Sequence, residues 1–329
     1  MKARLPGIVL IAMMVIAAPV SNSGAADPGW PASLTLVTAS PGGTYHAYGQ
    51  ALAGILTSVL KLPVSEKTTE GPNQNIQLIE ANEAQIGFVT LGAALQAWNG
   101  TGDGTGDWTN GKPYRAFRAA FPMYDTPFHF IVLKDSPIRS LADVAGKPIG
   151  VGPQGGTAGT YMPRFLETLD MDAPLIHGSY DELASQLENG SIAMLAVAAG
   201  APLPAVAGLE RKKKVRFIPL DQDEVVRLRL TIPELTPSQI AAGTYPSLMK
   251  AYPTVGLYNF AVVHKDLPDS LVYQIIEAVF NDHDKLVEAH PAAAATVPEN
   301  FVNNTFLPYH PGASRYYSVN MVQGIVRGD

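Results

Sequence analysis

The residues best placed to do chemistry in this 329-residue chain lie in two short glycine turns. In the first, Ala39-Ser40-Pro41-Gly42-Gly43 follows an apolar strand pattern, Leu34 to Thr38, and leads into Thr44, Tyr45 and a helix. That helix carries Ala47, Ala51, Leu52, Ile55, Leu56 and Val59 on one face. The paired glycines open backbone conformations closed to other residues and allow close approach to a ligand, and Thr44 is placed to cap the helix through its hydroxyl. The free N–H groups at such a helix end, together with its dipole, favour an anion or a polar oxygen. In the second turn, Gly152-Pro153-Gln154-Gly155-Gly156-Thr157 follows Lys147 to Val151 and opens a helix to Leu169. The order is the same: strand, glycine turn with Thr, helix. Two such units facing one another supply donors from both sides of a cleft, and the ligand they suit is a small acid.

Constellations for bond-making chemistry are incomplete. There is no cysteine, which excludes disulfides, thiolate metal sites and cysteine nucleophiles. The seven histidines form no H-E-x-x-H pair, and no serine sits in G-x-S-x-G. Gly150-Val151-Gly152-Pro153-Gln154-Gly155 spells G-x-G-x-x-G between a strand and a helix, so an NAD-dependent oxidoreductase stands as the alternative function. The ribose-binding acid is missing, however: after Leu175-Ile176 come His177-Gly178-Ser179-Tyr180. Gly106 to Lys112 fits G-x-x-x-x-G-K, but Pro113 stands where a metal-binding Ser or Thr is required. Asp103, Thr105, Asp107 and Thr109 alternate like a calcium loop, yet position twelve is Tyr114 rather than a bidentate Glu. A solvated loop is the preferred reading there. No metal and no cofactor are expected.

The elements that must hold these turns follow from the pattern. The first 26 residues run from Lys2 and Arg4 through the apolar stretch Ile8 to Ala18 to Ser23-Gly24-Ala25-Ala26, the order of a signal peptide cleaved near Ala25 or Ala26. The expected location is therefore the periplasm. Net charge is −6 and becomes more negative once that basic leader is removed, so the protein is a poor polyanion binder. The basic run RKKKVR, Arg211 to Arg216, reads as a solvated turn. Strands are expected at Leu62 to Lys67, Ile86 to Thr90, Phe128 to Lys134, Met194 to Val197 and Gly256 to Val263. Helices are expected at Asn73 to Ala84, Ala93 to Trp98, Asp181 to Glu188 and, as one long amphipathic element, Leu271 to Leu286, with a closing helix in the tail. Strand and helix alternate, the mark of an α/β fold with a mainly parallel sheet.

Pro41-Gly42-Gly43-Thr44-Tyr45, Asn75, Gly150 to Thr157, Ala199-Gly200-Ala201-Pro202 and His310-Pro311-Gly312-Ala313 with Tyr316-Tyr317 occur in one order over nearly all of the chain. In these residues the sequence resembles the TAXI-type solute receptors of tripartite ATP-independent periplasmic (TRAP) transporters. The resemblance implies a two-lobe periplasmic binding protein fold of type II-like form. It implies a ligand cleft between the lobes, a small acid such as glutamate or 2-oxoglutarate, and delivery to a pair of membrane permease subunits. Thr90 stands where many relatives carry glutamine, and Gly156 where many carry serine. Lobe one is expected over 27–137 plus 256–329 and lobe two over 138–255, with hinges near Ser136 and Thr254. The chain is expected to be a monomer and not an enzyme. The expected ligand-binding residues are Gly43, Thr44, Tyr45, Asn75, Thr90, Tyr124, Gly155, Gly156, Thr157, Ala199 and Gly200. Tyr258 is a candidate cleft wall or packing residue, Arg118 a carboxylate partner or a salt-bridge former, and His46 a ligand contact or a packing residue. His310 reads as fixing the last loop.

Overall fold

The computed structural model describes residues 29–102 and 108–327, with side chains through residue 320. The expected signal peptide lies outside the described residues, as do Asp103, Thr105 and Asp107 of the calcium-like loop. The chain runs β1 (Leu34–Val37), α1 (Thr44–Leu60), β2 (Val64–Lys67), α2 (Pro72–Glu80), β3 (Ile86–Thr90), α3 (Leu91–Asn99) and the long β4 (Phe117–Leu133). It continues through β5 (Ile149–Gly150), α4 (Thr157–Thr168), β6 (Leu175–Ile176), α5 (Tyr180–Asn189), β7 (Met194–Ala198), α6 (Pro204–Glu210), β8 (Val215–Phe217), α7 (Gln222–Thr231) and β9 (Thr236–Ile240). It closes with β10 (Tyr252–His264), α8 (Asp269–Asn281), α9 (His283–Ala289) and α10 (Pro311–Arg327).

Two α/β lobes result. In one, β2, β1 and β3 are parallel and β10 and β4 add antiparallel, in the order β2-β1-β3-β10-β4. In the other, β7, β5 and β6 are parallel and join β4. Strands buried on both faces read as apolar runs, which is why Ile86 to Thr90 and Met194 to Ala198 were visible in the sequence. Each sheet carries a core on each face. In the first lobe α1 and α8 pack on one side and α2 and α3 on the other; in the second, α4 and α7 oppose α5 and α6.

β4 and β10 are common to both lobes. β4 pairs with β10 as far as Pro127 and with β7 from Phe128, while β10 pairs with β9 as far as Gly256 and with β4 from it. Thr254 Oγ1 donates to Phe128 O across this change of sheet, 2.9 Å. The sequence placed the start of β4 at Phe128, and the strand in fact begins at Phe117. Pro122 and Pro127 interrupt its apolar pattern, and a long strand tolerates them where the ladder is irregular or changes partner. The single helix expected from Leu271 to Leu286 is broken at Asp282 into α8 and α9. Val59, expected to face inward, is 43% exposed. Arg211–Lys213 do turn, but Val215 and Arg216 continue into β8. α7 and β9 had no assignment in the sequence; Thr236–Ile240, TPSQI, has too little apolar alternation to read as a strand.

Candidate functional site

Three helix N-termini meet at one enclosed cavity between the lobes. Gly43, Thr44 and Tyr45 reach it from α1, Gly71 and Pro72 from α2, and Gly156 and Thr157 from α4. The N-cap residues are Gly43, Gly71 and Gly156, and none of the three helices has a side-chain cap bond. A Ser or Asp at such a position would consume a donor; glycine leaves the N–H groups available. The first helical bonds are Ala47 N to Gly43 O, Asn75 N to Gly71 O and Thr160 N to Gly156 O. The N–H groups of Thr44, Tyr45, Asn73, Thr157 and Ala158 therefore stand ahead of those bonds with no helical acceptor, and three dipoles add their positive ends to one place. Glu70 is the single charged residue among the lining side chains.

Glycine is required at Gly71 for two reasons. Its φ is +133°, and an added Cβ would stand 3.0 Å from Gly156 Cα in the facing lobe. The lobes are shut on each other. Thr44, expected as the cap of α1, instead begins the helix behind the Gly43 cap, and its Oγ1 donates to Gly200 O at 2.6 Å across the cleft. Ala205 N donates to Gly42 O at 3.1 Å, Asn73 Nδ2 to Thr160 Oγ1 at 3.0 Å and Gly155 N to Glu70 Oε2 at 3.2 Å. The remaining cavity is about 20 Å³, room for roughly one water, so a larger solute enters only after the lobes part. Replacing Thr44 by Val removes one buried inter-lobe bond and leaves Gly200 O unpaired on closure, a loss of about 1–3 kcal/mol. Solute affinity is expected to drop roughly tenfold by calorimetry, with the fold unchanged by circular dichroism.

Of the residues expected from sequence, Gly43, Thr44, Tyr45, Gly156, Thr157, Ala199 and Gly200 line the cavity, joined by Ala39, Thr126, Tyr180 and Ala198. Asn75, Thr90, Tyr124 and Gly155 are not among the lining residues; Asn75, Thr90 and Gly155 are bonded elsewhere, and the buried Tyr124 hydroxyl has no hydrogen-bond partner among the described residues. Asn75 is fully buried, donates to Thr38 O and Phe88 O at 2.8 Å each, and accepts from Thr69 Oγ1 at 2.7 Å. It ties the turn before α2 to β1 and β3. Thr90 Oγ1 caps α3 by accepting from Ala93 N. The Tyr124 ring packs 6.4 Å from Tyr45 and 5.7 Å from Tyr48, and burial pushes its phenol far above the ordinary tyrosine value. Gly155 has its N–H engaged by Glu70.

The other candidates are likewise committed. Tyr258 OH donates to Met123 O. The Arg118 guanidinium lies 5.7 Å from the centre of the Trp98 ring and donates to the Arg115 and Phe117 carbonyls. His46 Nδ1 sits 3.3 Å from Glu66 Oε1, outside the lining residues. His310 is fully buried and its Nδ1 accepts from Gly312 N, holding the loop before α10.

Sequence reasoning missed Asn259. This fully buried residue accepts from Tyr45 OH at 2.6 Å and donates through Nδ2 to Tyr124 O at 2.6 Å, with Thr126 Oγ1 2.7 Å away. It orients the Tyr45 ring and braces the cleft floor. A lone amide inside the apolar run of β10 was the available signal. Tyr180 was also missed: its OH donates to Ala198 O at 3.0 Å and its ring packs beneath Gly43. Behind the Ala199–Leu203 segment, Tyr245 OH accepts from Leu203 N and lies 2.9 Å from His129 Nε2. Burial pushes His129 down to about 4, so the neutral ring accepts from Tyr245 and donates from Nδ1 to Pro127 O.

The dinucleotide alternative meets a physical obstacle. The N–H of Gly155 points at the Glu70 carboxylate, and Gly71 packs against Gly156, so the turn that would cradle a pyrophosphate faces a negative charge at close range. Among the described residues no group of three His, Cys, Asp or Glu side chains is placed to hold a metal ion, and no helix is long and apolar enough to cross a membrane.

Solved structures share this architecture. MatC from Rhodopseudomonas palustris, described with bound malate, is similar with a TM-score of 0.58 at 13% identity, covering 91% of this chain and 98% of its own. The periplasmic binding protein BugD gives 0.57 at 14% identity, covering 92% and 97%. A structure described as a periplasmic transporter gives 0.56 at 15% identity, covering 90% and 96%. These likenesses establish the two-lobe α/β fold of periplasmic binding proteins. A sequence model described as the NMT1-like family matches residues 36–318, which spans both glycine turns, both shared strands and the start of the closing helix. The chain belongs to the NMT1-like family.

Proposed function

We propose that this protein is a periplasmic solute-binding protein that captures a small organic acid, of the glutamate or 2-oxoglutarate type, and hands it to the permease subunits of a TRAP transporter. The observation that carries the reading is the meeting of three uncapped helix N-termini at one inter-lobe cavity. Their N–H groups offer a carboxylate several donors and a positive field without any cationic side chain, and the one opposing charge in the lining, the Glu70 carboxylate, is engaged by Gly155 N. Thr157 adds a hydroxyl, the Tyr45 ring, held by Asn259, adds a wall, and Ala199 and Gly200 add backbone at short range. The malate described in MatC is a small organic acid held by a protein of the same fold. The lining lacks a nucleophile, a metal set and an acid pair, which suits capture and release rather than catalysis. The lobes, 27–137 plus 256–329 and 138–255, part and close about β4 and β10, in the manner of a hinge built from a few residues. The mature protein acts as a monomer, exported by its leader.

Calorimetric titration of the protein lacking residues 1–26 with glutamate, 2-oxoglutarate, malate and a set of neutral sugars and amides tests the reading. The expected result is tight one-site binding of at least one acid. Binding of a neutral solute with none of the acids overturns it.

A further inference from the structure

A second concave surface lies on the other lobe, away from the solute cleft. It is a groove of about 980 Å³ between β8 and the segment Pro246–Pro253. We propose that this groove docks an extended, acidic segment of a partner protein, which adds as a strand to the free edge of β8.

The backbone geometry supplies the first argument. β8 pairs with β4 only, through Ile131↔Phe217, Val132↔Arg216 and Leu133↔Val215. Lys134 N donates to Lys214 O and Ile218 N to Phe130 O. In an antiparallel ladder the groups facing one neighbour recur at every second residue, so 214, 216 and 218 face β4. The N–H and C=O groups of Val215 and Phe217 therefore face the groove, a ready template for an incoming strand.

Charge supplies the second argument. On a protein of net charge −6, Lys134, Lys213, Lys214, Arg216 and Lys250 line this one groove with a single carboxylate, Glu210. One Glu210 oxygen already accepts from Ser247 Oγ. Arg216 also donates to Lys134 O, Ser136 O and Ile138 O, which holds it at the groove wall. Met249, 83% exposed, forms an apolar lip. Like charge keeps two copies of this basic edge from pairing with each other. The groove is concave and its backbone donors are recessed, so a protein segment reaches them and a flat lipid surface does not.

The test uses a fluorescein-labelled peptide, Glu-Val-Glu-Thr-Glu-Val-Glu, titrated into the mature full chain by anisotropy. Saturable binding is expected, at least about tenfold weaker in 0.5 M salt than in 0.02 M and at least about tenfold weaker in the Lys213→Glu, Lys214→Glu double variant. In amide NMR spectra the Val215 and Phe217 resonances are expected to move most. The same sequence N-methylated at every backbone amide has no N–H to donate to the β8 edge and is expected not to bind. Four outcomes overturn the proposal: no peptide binding, equal binding of the N-methylated peptide, binding unaffected by charge reversal, or retention on phosphatidylglycerol vesicles without peptide binding. Solute titration of the same double variant is expected to match the parent, which separates loss of docking from loss of fold.

Discussion

Gly200→Val is expected to weaken binding of whichever acid the parent protein captures by at least about 100-fold, close to 3 kcal/mol. A Cβ at Gly200 would stand 2.5 Å from the Tyr124 ring and 2.9 Å from the Thr44 methyl, both on the opposite lobe. The Gly200 backbone is not in a left-handed conformation, so the substitution adds no local strain. When the lobes part, those neighbours withdraw and the valine is accommodated. The variant should therefore keep its unfolding midpoint to within a few degrees while losing closure. Calorimetry reads the affinity, and small-angle scattering with and without solute reads the closure. Affinity equal to the parent's would show that Gly200 does not form the closing contact. The effect is expected to exceed that of Thr44→Val at the same contact, because a steric clash forbids the closed state whereas a missing hydrogen bond only weakens it.

Asp125→Asn is expected to stabilise the protein at neutral pH by up to about 3 kcal/mol. Asp125 lies where β4 leaves one sheet for the other, opposite Tyr258 of β10, and Ser238 of β9 donates its hydroxyl to it. Burial is the main cause that pushes its carboxyl from the ordinary 3.8 up to about 6, with the Ser238 hydroxyl and the Thr126 backbone opposing. Because the folded value lies above the unfolded one, the folded state binds the proton more tightly. The protonated form is thus favoured by folding: this contribution is full below about pH 4, falls as pH climbs through 6, and is flat above. The shift of about two units corresponds to roughly 3 kcal/mol. Asparagine keeps the shape and can still accept from Ser238, but carries no charge to desolvate. Urea unfolding at pH 4.5 and pH 7.5 should show parent and variant close together at the lower pH and separated at the higher. Curves that stay parallel would remove Asp125 as the source of the pH dependence.

The sequence by itself determined the local units of this protein. Both glycine turns read correctly as strand, turn and helix, because those signals lie within a few residues: an apolar run, paired glycines, then apolar positions at helical spacing. Alternation of such units determined the α/β class, and the seven cavity residues found from sequence all lie in those two turns, at the helix starts they lead into, or in the small-residue stretch after β7. The third helix end was hidden. Gly71-Pro72, just ahead of the helix expected from Asn73, carries only the local signal of a turn, and the fold lays it against Gly156.

Only the tertiary structure decided which polar groups face the cavity and which hold the frame. Asn75 and Thr90 have the chemistry of ligand contacts, yet their bonding capacity goes to β1, β3 and the end of α3. Thr44 has the chemistry of a helix cap, yet its partner is a carbonyl 156 residues away. Asn259 and Tyr45, 214 residues apart, form one unit. RKKKVR reads as a solvated basic turn in sequence, and only the fold places its Lys213, Lys214 and Arg216 along a groove beside β8. The physical reason is common to all of these. Helix and turn propensities act over a few residues and are written locally, whereas a buried polar group must find its partner wherever packing brings one, and that pairing is a property of the assembled lobes.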